Sequence, residues 1–306
     1  MTNKKIFYLI IPVIIYFTII IFSDIQKIWN SISNLQLEYF LIFTGFWSLG
    51  VILRVIRWHI YMRKLDVRIP FKKNALYYLS GYSMLLSPGR VGEIIRSPYI
   101  KRDYGIPISK TGSLIFVERF YDFLSNISII SIAIIFTDIS KIILVVPLGI
   151  LTLMLFIIFN KKLFLNLSKK IKRIKRIEKI IPDLEESYQT IFSLLKPKFF
   201  LLSIFLTLGV VGFESIAAYF LLNSVNTSLN FATLTVIFNI SSFIGAISFI
   251  PAGFGVVEGS LSGLLFLYGI PEHIGFSASI LLRIIGTGLF SIIGFICLQL
   301  ISKKRK

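Results

Sequence analysis

Cysteine, histidine and acidic side chains are all scarce in this chain of 306 residues. A single cysteine, Cys297, excludes an intrachain disulfide and any cysteine-based metal site. The two histidines, His59 and His273, lie 214 positions apart with no helical His partner, so no metal site is expected from them. There is no HExxH, no GxSxG and no Walker loop, and neither Ser87 nor Ser97 has a histidine in a recognisable motif. Gly253-Phe254-Gly255 is a poor dinucleotide fingerprint, because no strand and no acidic residue follow in register. These absences point away from hydrolysis, metal chemistry and nucleotide binding. No cofactor and no enzymatic activity are expected.

Charged residues make up only 16% of the chain, against 55% hydrophobic and 15% aromatic, with a mean hydropathy of +0.81. That composition lies outside the range of soluble domains and defines an integral membrane protein. Its apolar runs of roughly 17 to 25 residues suit helices crossing a hydrocarbon core of about 30 Å, and they lack the period of two of barrel strands. Lys and Arg number 33 against 15 Asp and Glu, a formal charge of +18. The basic residues bunch in a few loops between spans. They mark cytoplasmic loops and a face for anionic headgroups, and nucleic acid is not expected.

Residues 1–38 are read as a signal-anchor span (6 to 22, after Lys4 and Lys5) followed by an outer interfacial helix. Residues 39–160 form a first repeat. Its opening span, 39 to 60, ends in Arg54, Arg57, Trp58 and His59, which together with Arg63 and Lys64 mark the cytoplasmic side. Ala75 to Leu86 is too short to cross and enters a hairpin that turns at Ser87-Pro88-Gly89. Spans follow at 111 to 136 and 142 to 159. Residues 161–197 are a basic cytoplasmic connector, and 198–306 a second repeat with spans at 199 to 222 and 276 to 300 and a basic tail. The fold expected is all-α integral membrane, with about six full spans plus two re-entrant helical hairpins (or eight spans). Both termini would be cytoplasmic in a multi-pass protein of the cell membrane.

The repeat rests on motifs. Pro88, Gly89, Gly92 and Glu93 are answered by Pro251, Gly253, Gly255 and Glu258. Tyr104-Gly105-Ile106-Pro107 returns as Tyr268-Gly269-Ile270-Pro271, and Arg119 is answered by Arg283. The YGIP proline lies 19 residues after Pro88 and 20 after Pro251, and the arginine 31 and 32 residues after them. Three landmarks in one order at nearly one spacing indicate an internal repeat. The first hairpin is approached from the cytoplasm and the second from outside, so the repeat is inverted.

Backbone that leaves the helix inside a bilayer must be satisfied by protein or by a water-filled cavity, so both turns should line an interior site. Glycine admits a ligand close to the chain, and a helix restarting after the break aims free N–H groups at an anion. Arg90 is the first candidate for phosphate contact, since its fork binds phosphate bidentately. Arg96, Arg119 and Arg283 join it, though Arg96 with Lys101 and Arg102 also marks topology. Glu93, Glu118, Asp122 and Glu258 serve as partners, with Arg119 and Asp122 at i, i+3. Glu214, alone in its span, is expected to pair with a motif arginine, with a proton-coupling carboxylate as the alternative.

PGRVGEIIR with the following ER-F-YD segment, then PAGFGVVE with YGIP and LLRI, resembles the lysylphosphatidylglycerol synthase transmembrane-region family, also described as flippase-like membrane proteins. The resemblance covers about residues 39 to 300. It implies a membrane domain that moves an anionic phospholipid or polyprenyl-phosphate-type headgroup between leaflets. In fused bacterial members a separate soluble domain transfers the aminoacyl group from tRNA, and this chain ends directly after its last expected span. Two alternatives stand beside transport: an intramembrane headgroup transferase using Glu93 or Glu258 as base, and a non-transporting partner of a glycosyltransferase or synthase.

Overall fold

The computed structural model describes residues 37–303 except 86, 88, 89, 173–183, 226 and 228. The expected first span, nearly all of the interfacial helix, Pro88 and Gly89 lie outside the described residues. Within them the chain is all-helical, with no strand, and five helices are long and apolar enough to cross a membrane.

Helix α1 (Leu37–Lys64) is the first of these and ends in Arg63 and Lys64, cations that suit the negative end of its dipole. A short α2 (Phe71–Ser80) passes into a 3₁₀ turn, Gly81–Met84. After the break come a second 3₁₀ turn, Val91–Ile95, and α3 (Arg96–Tyr104). The second crossing-length helix is α4 (Ile108–Ala133), which continues as a 3₁₀ turn to Phe136. A 3₁₀ turn at Lys141–Leu144 leads into α5 (Val145–Phe159). Helices α6 (Lys161–Lys172) and α7 (Leu184–Leu194) flank the undescribed part of the connector. Then come α8 (Pro197–Ser224) and two shorter apolar helices, α9 (Phe231–Ile247) and α10 (Val256–Phe266). The last crossing-length element is α11 (Glu272–Leu282), a π-helical stretch Arg283–Gly288, and α12 (Leu289–Ser302).

Helices α1 and α8 pack along each other. Small residues allow the approach: a Cβ on Gly50 would lie 3.5 Å from the Val210 carbonyl, and one on Gly209 would lie 3.0 Å from Leu53. An aromatic-rich core of Trp58, Tyr61, Tyr78, Tyr82 and Tyr121 joins α1, α2 and α4 and extends to α12. A second core, centred on Phe43, Leu221, Leu261 and Leu281, joins α8 to α9, α10 and α11. Large apolar side chains on α5 and α8, including Val145, Leu153, Phe156, Leu201 and Phe205, are exposed, as a lipid-facing surface requires.

The two YGIP segments do the same local work. Gly105 (φ 70°) and Gly269 (φ 77°) are left-handed, a conformation glycine adopts without strain. Pro107 and Pro271 then cap α4 and α11 with nearly equal dihedrals, φ −57° and ψ 143° against φ −56° and ψ 140°.

Candidate functional site

A cavity of about 780 Å³ opens between the two helix breaks. Its wall takes Trp47 and Arg54 from α1, Ser87 and Arg90 from the first break, and Arg119, Asp122 and Asn126 from α4. It also takes Glu214 of α8, Asn239 and Ser242 of α9, and Phe249, Ile250, Ala252 and Gly253 of the second break. Arg283 and Thr287 of the π-helical stretch complete it. Such stretches occur preferentially at functional sites.

Four described non-glycine residues have positive φ: Asp66, Arg90, Phe249 and Ala252. The last three all line the cavity. Each left-handed residue costs about 1 to 2 kcal/mol, and strain of this kind concentrates where function retains it.

The charged residues form two groups. In the first, Asp122 accepts from Arg54 at 2.9 Å and from Arg57 at 2.8 Å, and lies 3.2 Å from Arg119. Arg54 also binds Glu214 at 2.9 and 3.1 Å. Arg57 donates to Thr207 at 2.6 Å and lies 3.8 Å from Glu118, which is paired with Arg96. Arg119 reaches Glu93 at 3.6 Å. The Arg96 guanidinium sits 3.9 Å above the Trp58 ring and 4.7 Å from that of Tyr78, which offsets part of its burial. In the second group Arg283 pairs with Glu258 and donates to the carbonyls of Ala252 at 2.8 Å and Gly253 at 3.0 Å. It thereby satisfies the backbone of the second break. Glu258 also accepts from the Gly255 N–H at 2.8 Å, which caps α10.

Six arginines therefore stand among five carboxylates, and every carboxylate has an arginine within 4.0 Å. Arg90 is the exception: among the described residues it has no carboxylate within that distance, and it faces the cavity.

Of the residues singled out from sequence, Arg90, Arg119, Asp122, Gly253 and Arg283 line the cavity. Glu93, Arg96, Glu118 and Glu258 are buried behind the wall as ion-pair partners. Gly92 packs on Ser87, where a Cβ would come within 2.6 Å of the hydroxyl. Pro251 and Gly255 shape the second break without entering the wall. The topology reading of three arginines needs correction. Arg54, Arg57 and Arg96 are buried, and their charges are held by carboxylates on other helices. Glu214 pairs with Arg54 of α1 and not with a motif arginine. Sequence reasoning also passed over Asn126, Asn239 and Trp47. The usable signal for Arg54 was its position within an apolar span, where charges are paired or functional.

Helices of this length around a charged interior cavity define a multi-pass helical membrane protein. The chain matches the family described as "Lysylphosphatidylglycerol synthase TM region" over residues 9–294, and it belongs to that family. It is 31% identical to a UPF0104 membrane protein of Methanocaldococcus jannaschii, over 69% of this chain and 89% of the relative. A UPF0104 membrane protein of Pyrococcus horikoshii is 22% identical over 99% of this chain and 98% of its own length. One from Methanothermobacter thermautotrophicus is 23% identical over 81% and 79%.

Proposed function

We propose that this protein is a flippase-like transporter, without enzymatic activity, that moves an anionic lipid or a lipid-linked headgroup of the polyprenyl-phosphate type between membrane leaflets. The observation that carries the reading is Arg90, a guanidinium with no carboxylate within 4.0 Å among the described residues, held in a strained conformation on the wall of a cavity large enough for a headgroup. A charge left unpaired at depth is costly, and an incoming phosphate would relieve that cost.

In this reading the two breaks are re-entrant hairpins of an inverted repeat, and the cavity between them is exposed to one leaflet at a time. The matching pairs Glu93–Arg119 and Glu258–Arg283 support the repeat. So do the matching YGIP caps. Charge supports the orientation. Lys64, Lys161 and Lys303 fall at helix ends on one side by crossing order, while the loop from Asn223 to Asn230 carries no charge. The protein then lies in the cell membrane with both termini in the cytoplasm. A role for Glu93 or Glu258 as transferase base is disfavoured by their burial behind the cavity wall and their ion pairs with Arg119 and Arg283.

The test is translocation of a fluorescent anionic phospholipid in vesicles reconstituted with the full chain. The wild type should raise the rate above that of protein-free vesicles, and Arg90→Ala should abolish the gain with an unchanged melting temperature. A folded Arg90→Ala variant that transports at the wild-type rate would remove the reading.

A further inference from the structure

We infer that the cavity selects a phosphate ester whose headgroup carries free hydroxyls, and rejects one that carries added ammonium groups. The inference rests on the reading of the cavity as a headgroup site and deepens it.

Charge sets the sign. Among the described residues the cavity wall carries four arginines, Arg54, Arg90, Arg119 and Arg283, against two carboxylates, Asp122 and Glu214, both of which are paired with Arg54, while Arg90 has no carboxylate within 4.0 Å. One phosphodiester monoanion balances the charge of Arg90. An aminoacylated headgroup such as lysyl-phosphatidylglycerol carries two ammonium groups beside its phosphate, and would bring net positive charge to a wall that is already positive. Like charges at short range in a low-dielectric site repel strongly.

Hydrogen bonding sets the rest. Asn239 is fully buried and belongs to the cavity wall. Its Nδ2 donates to the Ser215 hydroxyl at 2.8 Å and to the Thr235 carbonyl at 2.8 Å, which fixes the direction of the amide. Among the described residues its Oδ1 has no donor, and neither has the Oδ1 of Asn126, which lines the same cavity. Two buried acceptors without donors call for a ligand that brings O–H or N–H groups, since unmade hydrogen bonds at buried groups are costly. The positive wall disfavours ammonium N–H, which leaves hydroxyls. Ser242 and Thr287 add side chains on the same wall that both donate and accept.

The experiment measures lipid retention by native mass spectrometry on the full chain in detergent. The panel is phosphatidylinositol, phosphatidylglycerol, phosphatidic acid, phosphatidylcholine and lysyl-phosphatidylglycerol, with soluble inositol 1-phosphate as competitor. Phosphatidylinositol and phosphatidylglycerol should be retained about fivefold above phosphatidic acid, the scale of one net hydrogen bond. Lysyl-phosphatidylglycerol should fall about tenfold below phosphatidylglycerol. Asn126→Ala should lower phosphatidylinositol retention about fivefold and phosphatidic acid retention less than twofold, and Asn239→Leu should do the same if it folds. Equal retention of phosphatidic acid and phosphatidylinositol overturns the hydroxyl preference and leaves the anion site standing. Lysyl-phosphatidylglycerol held as firmly as phosphatidylglycerol overturns the charge argument. Phosphatidylcholine held as well as every anionic lipid would instead defeat the headgroup-site reading beneath both. Displacement by an equal concentration of inositol 1-phosphate would support the chemistry and assign it to a soluble ester, whereas failure to displace assigns it to the lipid.

Discussion

Replacing Asp122 by Asn removes one negative charge from a point where three guanidinium groups converge, with little change in volume. Arg57, Arg54 and Arg119 lie 2.8, 2.9 and 3.2 Å from its carboxylate oxygens. At an effective dielectric of about 20, each unit pair some 4 Å apart between charge centres is worth about 4 kcal/mol before desolvation is subtracted. Removing one partner of a buried pair costs about 3 to 5 kcal/mol, because the other charge is left without compensation. Each of the three arginines keeps a second carboxylate here, Glu118 for Arg57, Glu214 for Arg54 and Glu93 for Arg119. The expected loss is therefore near the lower limit, about 3 kcal/mol. It would be read from the unfolding midpoint in mixed dodecyl sulfate micelles. Adding Arg57→Gln should restore about 1 to 2 kcal/mol of it, as coupled neighbours do. A loss below about 1 kcal/mol for Asp122→Asn, with no coupling to Arg57, would refute the network as a source of stability.

Gly294→Ala should cost about 3 kcal/mol, because its Cβ would lie 2.4 Å from the Ser83 backbone nitrogen and α12 would have to leave the 3₁₀ turn; Gly149→Ala, with open space around it, should leave the melting temperature unchanged. Gly105→Ala and Gly269→Ala should each cost about 1 kcal/mol, since both sites are left-handed and open, and clearly unequal losses would count against equivalent roles for the two YGIP turns. Arg90→Gly should keep or raise the melting temperature by relieving a left-handed side chain, while lowering phosphatidylglycerol retention at least tenfold; a matched fall in both would mean that Arg90 is structural. In a Cys297→Ala background, Asp66→Cys and Asn230→Cys should react with a membrane-impermeant maleimide from opposite sides, and labelling from one side would break the crossing order.

Hydropathy carries length and composition, and that is why the helix limits were readable. The spans expected at 111 to 136, 142 to 159 and 199 to 222 correspond to helices Ile108–Phe136, Lys141–Phe159 and Pro197–Ser224. Pairing is a different kind of information. Arg54 meets its carboxylates across 68 and 160 residues of chain, so its partners cannot be read from the residues around it. A charge near the end of a span reads as a topology signal unless the carboxylates inside the other spans are counted against it. Asp122, Glu118 and Glu214 in apolar helices demanded cations of their own, and Arg54 and Arg57 were the nearest supply. Asn126 and Asn239 carry no such demand in sequence, because a neutral amide in an apolar helix is common at helix contacts.

The two breaks also differ in a way that alignment by motif alone conceals. Arg90 stands two residues after Pro88 and Gly253 two residues after Pro251. Both are left-handed, with φ 55° and 65°. The second break fills that position with the residue that adopts the conformation without penalty. A Cβ there would meet the Gly245 backbone at 3.0 Å, so glycine is also required by packing. The first break fills it with an arginine, accepts about 1 kcal/mol of backbone strain, and sends the side chain to the cavity without a carboxylate partner among the described residues. Glycine would serve the turn better than arginine does. What arginine adds is the guanidinium, and on the proposed function its cost is met when an anionic headgroup occupies the cavity beside it.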